Sequence, residues 1–337
     1  MKLSVREYEI HLRHTFTIAR GSVNAKRVVI VHLEHEGIVG YGEASPNSRY
    51  GENVGTVRVF LERVRLERFD DPFQRESVLA YVDSLSEGNS AAKAAVDIAL
   101  HDWIGKKLSI PLYQYLGLDR SKTPQTSFTI GIDAPEAISR KVEEAELYPV
   151  LKVKLGTDDD RAIMGAIRKA TKKPLRVDAN EGWKNKETAL ENIKWLEQEG
   201  VEFIEQPLPA ADLDGTAWLR ERINVPLIAD EACRRLFDVP RLQQAYDGIN
   251  IKLMKCTGLH EAAKMIYTAK ACGMRVMLGC MIETSVGITA AAQLTPLVDY
   301  ADLDGNILIS DDPFVGVKVL DGKLELPDRP GIGIFEK

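Results

Sequence analysis

Two lysines spaced as Lys152-x-Lys154 sit inside the short apolar run Val150–Gly156. Alternate residues of a strand share a face, so Leu151, Val153 and Leu155 point one way and both lysines the other. Pro149 and Gly156 bound the run as a strand. One this apolar is expected to be buried on both faces, as in a parallel α/β sheet. A buried ammonium is costly without compensating charge. Taken alone, the run reads equally well as an edge strand with two solvated lysines.

The compensating charge comes next along the chain. Three successive apolar runs end in acids: Arg176-Val177-Asp178, Phe203-Ile204-Glu205 and Leu227-Ile228-Ala229-Asp230. One such acid would read as the cap of the following helix. Three brought together would repel unless a cation sat among them, and hard oxygen ligands without His or Cys favour Mg²⁺. A further lysine, Lys252, follows in Asn250-Ile251-Lys252-Leu253-Met254-Lys255. A metal with an ammonium on each side suits one reaction, removal of a proton α to a carboxylate and its return on either face. The metal would stabilise the enediolate. Lys154 and Lys252 are the expected acid/base pair, and Lys152 beside Lys154, with Mg²⁺, is expected to lower the pKa of Lys154 toward working pH.

These residues need a scaffold that brings strand ends together. The markers Lys152, Asp178, Glu205, Asp230, Lys252, Gly279 and Asp302 recur every 22 to 27 residues. One strand and one helix per interval puts them all at one end of a (β/α)-barrel, the end where such barrels hold their active sites. The expected strands are 127–132, 150–155, 175–178, 203–206, 227–230, 249–253, 276–279 and 298–302. A doubly wound open sheet is the runner-up, but no G-x-G-x-x-G turn supports it. Before residue 118 the pattern differs: antiparallel strands over 2–12 and 27–44, a loop over 15–26, a second loop over 46–53, then helices near 54–66, 74–85 and 90–107. The fold class is therefore α/β, a modified TIM barrel (119–304) with an N-terminal α+β capping domain (1–118). The segment 305–337 is expected to complete that domain, with the tail Val315–Phe335, which turns at Asp321-Gly322, returning to it as a hairpin.

The chain has 337 residues, 45% hydrophobic and 28% charged, with net charge −6. No basic run suggests nucleic acid, and no stretch is apolar enough to span a membrane. The opening Met1–Tyr8 lacks the apolar core of a signal peptide, and the four cysteines form no C-x-x-C pair, so a reducing cytoplasm is expected. Scattered histidines argue against zinc.

The K-x-K, D-A-N (178–180), E-Q-P (205–207), A-D-E (229–231) and N-I-K-L-M-K (250–255) motifs together resemble the muconate-lactonizing subgroup of the enolase superfamily, over nearly the whole chain. Within it the dipeptide epimerases are most similar. Gly279–Thr284 resembles their seventh-strand motif, and Asp302-Leu303-Asp304 resembles the D-x-D that binds the substrate's α-ammonium, a role two acids would suit. The resemblance also implies that Thr129, Lys152, Cys280 and Ile282 line the substrate. It implies that loop 15–26 closes over the barrel mouth, where Arg20 could pair with a γ-carboxylate; Lys26 is a rival. Two departures are Cys280, where Ser is expected, and Cys256-Thr257-Gly258 in place of a Gly-Gly pair.

The expected activity is Mg²⁺-dependent epimerisation at the α-carbon of a dipeptide's C-terminal residue, with L-Ala-D/L-Glu favoured, hence murein peptide breakdown. A homo-oligomer is compatible with the sequence. The alternatives within the family, o-succinylbenzoate synthase or a muconate-type cycloisomerase, lack an ammonium for Asp302 and Asp304 to bind. A Schiff-base aldolase would need neither the acid trio nor a metal. A non-catalytic metal-binding protein would have no use for lysines on both sides.

Overall fold

The computed structural model describes residues 1–337. Three antiparallel strands open the chain: β1 (Lys2–Ile18), β2 (Gly21–His35) and β3 (Ile38–Ala44). Glu36 and Gly37, with φ of 49° and 74°, make the tight turn between β2 and β3. Helices α1 (Val54–Leu61), α2 (Arg75–Ser84) and α3 (Ser90–Leu108) follow. The alanine run of α3 has a packing reason. Gly40 and Gly42 of β3 present no side chain, and a Cβ on Gly42 would lie 1.9 Å from the Ala95 carbonyl oxygen. Helix and sheet therefore approach almost backbone to backbone, and α3 is buried all round over Ser90–Gly105.

Eight parallel strands come next, each hydrogen-bonded to the one before it: β4 (Phe128–Ile130), β5 (Leu151–Lys154), β6 (Leu175–Asp178), β7 (Val201–Glu205), β8 (Leu227–Ala229), β9 (Gly248–Ile251), β10 (Arg275–Gly279) and β11 (Tyr300–Asp302). An isolated parallel bridge from Thr126 to Ala301 brings the first strand to the last. The expected barrel is thus observed, with every one of the eight expected strands present. Lys154 lies opposite Asp178, and Asp178 opposite Glu205, in the registers of β5, β6 and β7. One hydrophobic cluster of 83 buried residues runs through cap and barrel, so the two pack as one body.

Two expectations about local structure are corrected. Residues 15–26 are not an irregular loop. They form the tip of a β1–β2 hairpin, pairing Phe16 with Val23, Thr17 with Ser22 and Ile18 with Gly21. Gly21, Ser22 and Asn24 suggested a loop, but contacts beyond the segment override that local preference. The Ile132 amide donates to the Thr17 carbonyl at 2.9 Å. The hairpin at Asp321-Gly322 also does not turn back onto the cap. It lies against the entrance of β4, where Thr126 N donates to Gly322 O at 2.7 Å. The ends of the tail do reach the cap: Phe314 stacks edge-on against Tyr8 and Tyr41, and Glu336 pairs with Arg6 at 3.0 Å.

Candidate active site

The strand register delivers the chemistry. Lys152, Lys154, Asp178 and Glu205 occupy adjoining positions on β5, β6 and β7, while Asp230 and Lys252 stand just past the ends of β8 and β9. All six are buried. Asp178, Glu205 and Asp230 each offer a carboxylate oxygen within 4.8 Å of the others.

In each of the three acids one oxygen is engaged from behind and the other faces the lysines. Asp178 Oδ1 accepts from the Asn180 amide at 2.9 Å, Glu205 Oε1 from Asn250 Nδ2 at 2.7 Å, and Asp230 Oδ1 from Lys255 Nζ at 2.5 Å. On the inner side Lys154 Nζ is 2.6 Å from Asp178 Oδ2, and Lys252 Nζ is 2.8 Å from Asp230 Oδ2. Lys152 Nζ lies 2.6 Å from Glu205 Oε2, 3.2 Å from Asp178 Oδ2 and 2.7 Å from Asp302 Oδ2. Its approach to Glu205 is poorly directed, and Glu205 Oε2 is left buried without a hydrogen bond.

The charges are strongly coupled. Burial and then Asp178 push the Glu205 carboxyl up to about 8 against the pull of Lys152. Burial raises Asp178 too, but Lys154 and Lys152 outweigh it and hold that acid at about 2. At Asp230 burial is likewise overcome, by Lys252 and Lys255, and the carboxyl falls well below its ordinary range. Burial disfavours the Lys152 ammonium, yet Asp302, Glu205 and Asp178 raise its pKa well above normal; Lys252 is raised likewise, against burial, chiefly by Asp230. Asp178 Oδ2 stands between the two strand-β5 lysines and contacts both ammonium groups. Three buried acids, one with an orphaned oxygen and a pKa near neutrality, are a donor set that fits a hard divalent cation.

Next to the acids a cavity of about 480 Å³ opens between cap and barrel. Thr129, Lys152, Lys154, Lys252, Cys280, Ile282, Asp302, Asp304 and Arg20 all line it, and with Asp178, Glu205 and Asp230 beneath, the expected catalytic, substrate and metal residues gather at this one place. Asp302 is heavily committed, to Lys152 and to Ser127 Oγ at 2.7 Å. Asp304 Oδ2 accepts from the Thr129 amide at 2.7 Å, while its Oδ1 meets the weak Cys280 thiol donor at 4.0 Å. Burial and Asp302 push Asp304 up to about 6.

Arg20 is no solvated loop arginine. From the hairpin tip its Nη2 lies 2.7 Å from Glu231 and its Nη1 donates to the Asn180 carbonyl at 2.7 Å. Lys26 lines the same cavity, with its Nζ donating to the Pro46 carbonyl. Sequence reasoning missed Arg49, which grips Glu181 with two 2.9 Å hydrogen bonds, and Tyr50, whose ring carries the Arg234 guanidinium at 4.9 Å. Both line the cavity from the second cap loop, and nothing in their spacing marks them. Lys255 and Asn250 did lie within a recognised motif, but only the structure gives their targets.

A capped barrel with a buried acid trio between lysines is the architecture of the enolase class. Residues 1–117 match the model of the mandelate racemase/muconate lactonizing enzyme N-terminal domain, and residues 135–335 the enolase C-terminal domain-like model. The chain belongs to the mandelate racemase/muconate lactonizing enzyme family. It is 53% identical to an L-Ala-D/L-Glu epimerase of Bacteroides thetaiotaomicron, over 100% of this chain and 88% of that one. Among solved structures, it is similar to a dipeptide epimerase from Enterococcus faecalis V583 complexed with Mg and L-Leu-L-Tyr (TM-score 0.93, 38% identity, 99% and 98% of the two chains). It is similar as well to a substrate-liganded L-Ala-D/L-Glu epimerase from Bacillus subtilis (TM-score 0.94, 32% identity, 100% and 98%).

Proposed function

We propose that this protein is a Mg²⁺-dependent dipeptide epimerase that inverts the α-carbon of the C-terminal residue, with L-Ala-D/L-Glu as the favoured pair. The observation that carries this reading is the placement of Lys154 on Asp178 and Lys252 on Asp230, two ammonium groups reaching the acid trio from different strands. Asp178, Glu205 and Asp230 would hold Mg²⁺ through their inward oxygens. The cation would supply the positive charge that stabilises the substrate carboxylate as the α-proton leaves.

The chain's own groups do the rest. One lysine takes the α-proton to give a planar enediolate, and the other delivers a proton to the opposite face; the roles exchange with the direction of reaction. Lys152, held charged among Asp302, Glu205 and Asp178, acts as a fixed cation beside the substrate carboxylate. Asp304, with Asp302 behind it, receives the α-ammonium, while Thr129, Cys280 and Ile282 line the peptide. Arg20 reads the C-terminal side chain. Residues 1–118 with 305–337 serve as the capping unit and 119–304 as the catalytic barrel.

No helix is long and apolar enough to cross a membrane. We assign the enzyme to the cytoplasm and to the turnover of cell-wall peptides, consistent with the 53% identity to an L-Ala-D/L-Glu epimerase. A dipeptide library incubated with enzyme and Mg²⁺ in deuterated water tests the activity. One deuterium should enter the C-terminal residue of Ala-Glu and its close relatives. Exchange in no dipeptide would refute the assignment.

A further inference from the structure

We propose that Asn250 and Lys255 are positioning residues that turn the inner oxygens of Glu205 and Asp230 toward the metal by holding their outer ones. This inference rests on the metal reading above.

Asn250 stands on β9, next to β10, and its Nδ2 donates to Glu205 Oε1 at 2.7 Å. The arrangement is costly, because Asn250 Oδ1 is buried with no hydrogen-bond partner. A buried amide that leaves its carbonyl unsatisfied while donating to a carboxylate is there for the carboxylate. The neighbouring strand makes room for it: a Cβ on Gly279 would lie 2.6 Å from Asn250 Oδ1 and 2.8 Å from Nδ2. Gly279 has ordinary backbone angles, so its missing side chain serves space rather than conformation.

Lys255 plays the same part for Asp230. Its side chain is 1% exposed, and its Nζ uses three acceptors, Asp230 Oδ1 and Asp230 O at 2.5 Å and Asn250 O at 3.1 Å. All three ammonium protons are therefore spent on fixing the Asp230 side chain to its own backbone and to β9. The pattern is completed at Asp178 by a backbone donor, the Asn180 amide. With each outer oxygen fixed, rotation of the acids is blocked and three inner oxygens converge. Partners of this kind affect metal affinity by about ten- to a hundredfold.

The test is Mg²⁺ titration by calorimetry, with thermal melting in the absence of metal as the control for folding. Asn250→Leu keeps the volume and removes the donor, Gly279→Ala crowds the amide while Asn250 remains, and Lys255→Met removes the second clamp. Each should raise the Mg²⁺ Kd by at least about tenfold with melting little changed, and excess Mg²⁺ should recover turnover. Parental Mg²⁺ affinity in Asn250→Leu or Gly279→Ala, or loss of fold in both, would overturn the proposal. If the parent binds Mg²⁺ and Asp178→Asn abolishes binding, such a result counts against the clamp alone. If the parent binds no Mg²⁺, the metal reading itself fails, and the clamp with it.

Discussion

Lys154 and Asp178 are partners across adjacent parallel strands, and their side chains meet with Nζ 2.6 Å from Oδ2. Lys252 and Asp230, each just past the end of its strand, make the same kind of contact at 2.8 Å. Each lysine assigned to proton transfer is thus tied to an acid assigned to the metal. Charge on the acids and proton affinity of the lysines are one coupled system.

Metal dependence follows directly. Asp178→Asn, Glu205→Gln and Asp230→Asn should each abolish epimerisation and greatly weaken Mg²⁺ binding. Excess chelator should do the same to the parent, with Mg²⁺ restoring activity. Full activity in chelator would remove the metal from the account.

Much of this site was legible in the sequence because strand periodicity and a near-constant repeat fix where strand ends fall. Asp178, Glu205, Asp230 and Lys252 are at or next to the C-terminal ends of their strands, where the repeat spacing places them, and strand alternation puts Lys152 and Lys154 on one face of β5. The cap was harder. Residues 15–26 carry loop-like composition, yet pair as a hairpin, held from outside by the barrel rim at Ile132–Thr17 and, just before the segment, by residues 308–310 against 11–13. The partners of Arg20 are invisible in sequence for the same reason: Glu231 is 211 positions away, joined only by folding. The tail hairpin was identified as a turn but assigned the wrong neighbour, since a two-strand motif carries no mark of which surface it covers.

The assignment of Asp304 separates dipeptides from substrates without an ammonium. Asp304→Asn should raise KM for free dipeptides at least about tenfold, the scale of one lost charge-assisted hydrogen bond. N-acetyl dipeptides should be poor substrates of the parent. Asp302→Asn is a less clean probe, because Asp302 also holds Lys152 and Ser127. Equal use of blocked and free dipeptides would strip both aspartates of this role.

Arg20 connects the hairpin tip to specificity. A substrate γ-carboxylate would share or take over the guanidinium now facing Glu231. Arg20→Met should lower kcat/KM for Ala-Glu by at least about tenfold and leave Ala-Leu little changed or improved. A uniform drop across dipeptides would mean that Arg20 holds the hairpin down through Glu231 rather than reading the substrate.

A pH effect on stability should arise at the junction of cap and barrel. Glu43 of β3 accepts from the Thr284 and Gly287 amides at 2.9 and 2.8 Å, beside Glu283. Burial and then Glu283 push Glu43 up to about 8, and burial pushes Glu283 up to about 7, with Lys26 and Lys252 facing Glu283. Both folded values exceed the ordinary value of 4.5. The folded protein therefore binds more protons, and the stability from this pair is full below about pH 4.5 and lost as pH rises through about 7 to 8. Melting should fall between about pH 6 and about pH 9, and Glu43→Gln should flatten that fall. Identical slopes in parent and variant would place the pH dependence elsewhere.

The two-base scheme is tested most directly by solvent deuterium exchange in Lys154→Ala and Lys252→Ala, each given L-Ala-L-Glu and L-Ala-D-Glu separately. Neither variant should epimerise. Each should still exchange the α-proton of one epimer only, the one its remaining lysine can reach, and the two variants should choose opposite epimers. Epimerisation at the parental rate in either variant, or the same epimer exchanged by both, would contradict the account.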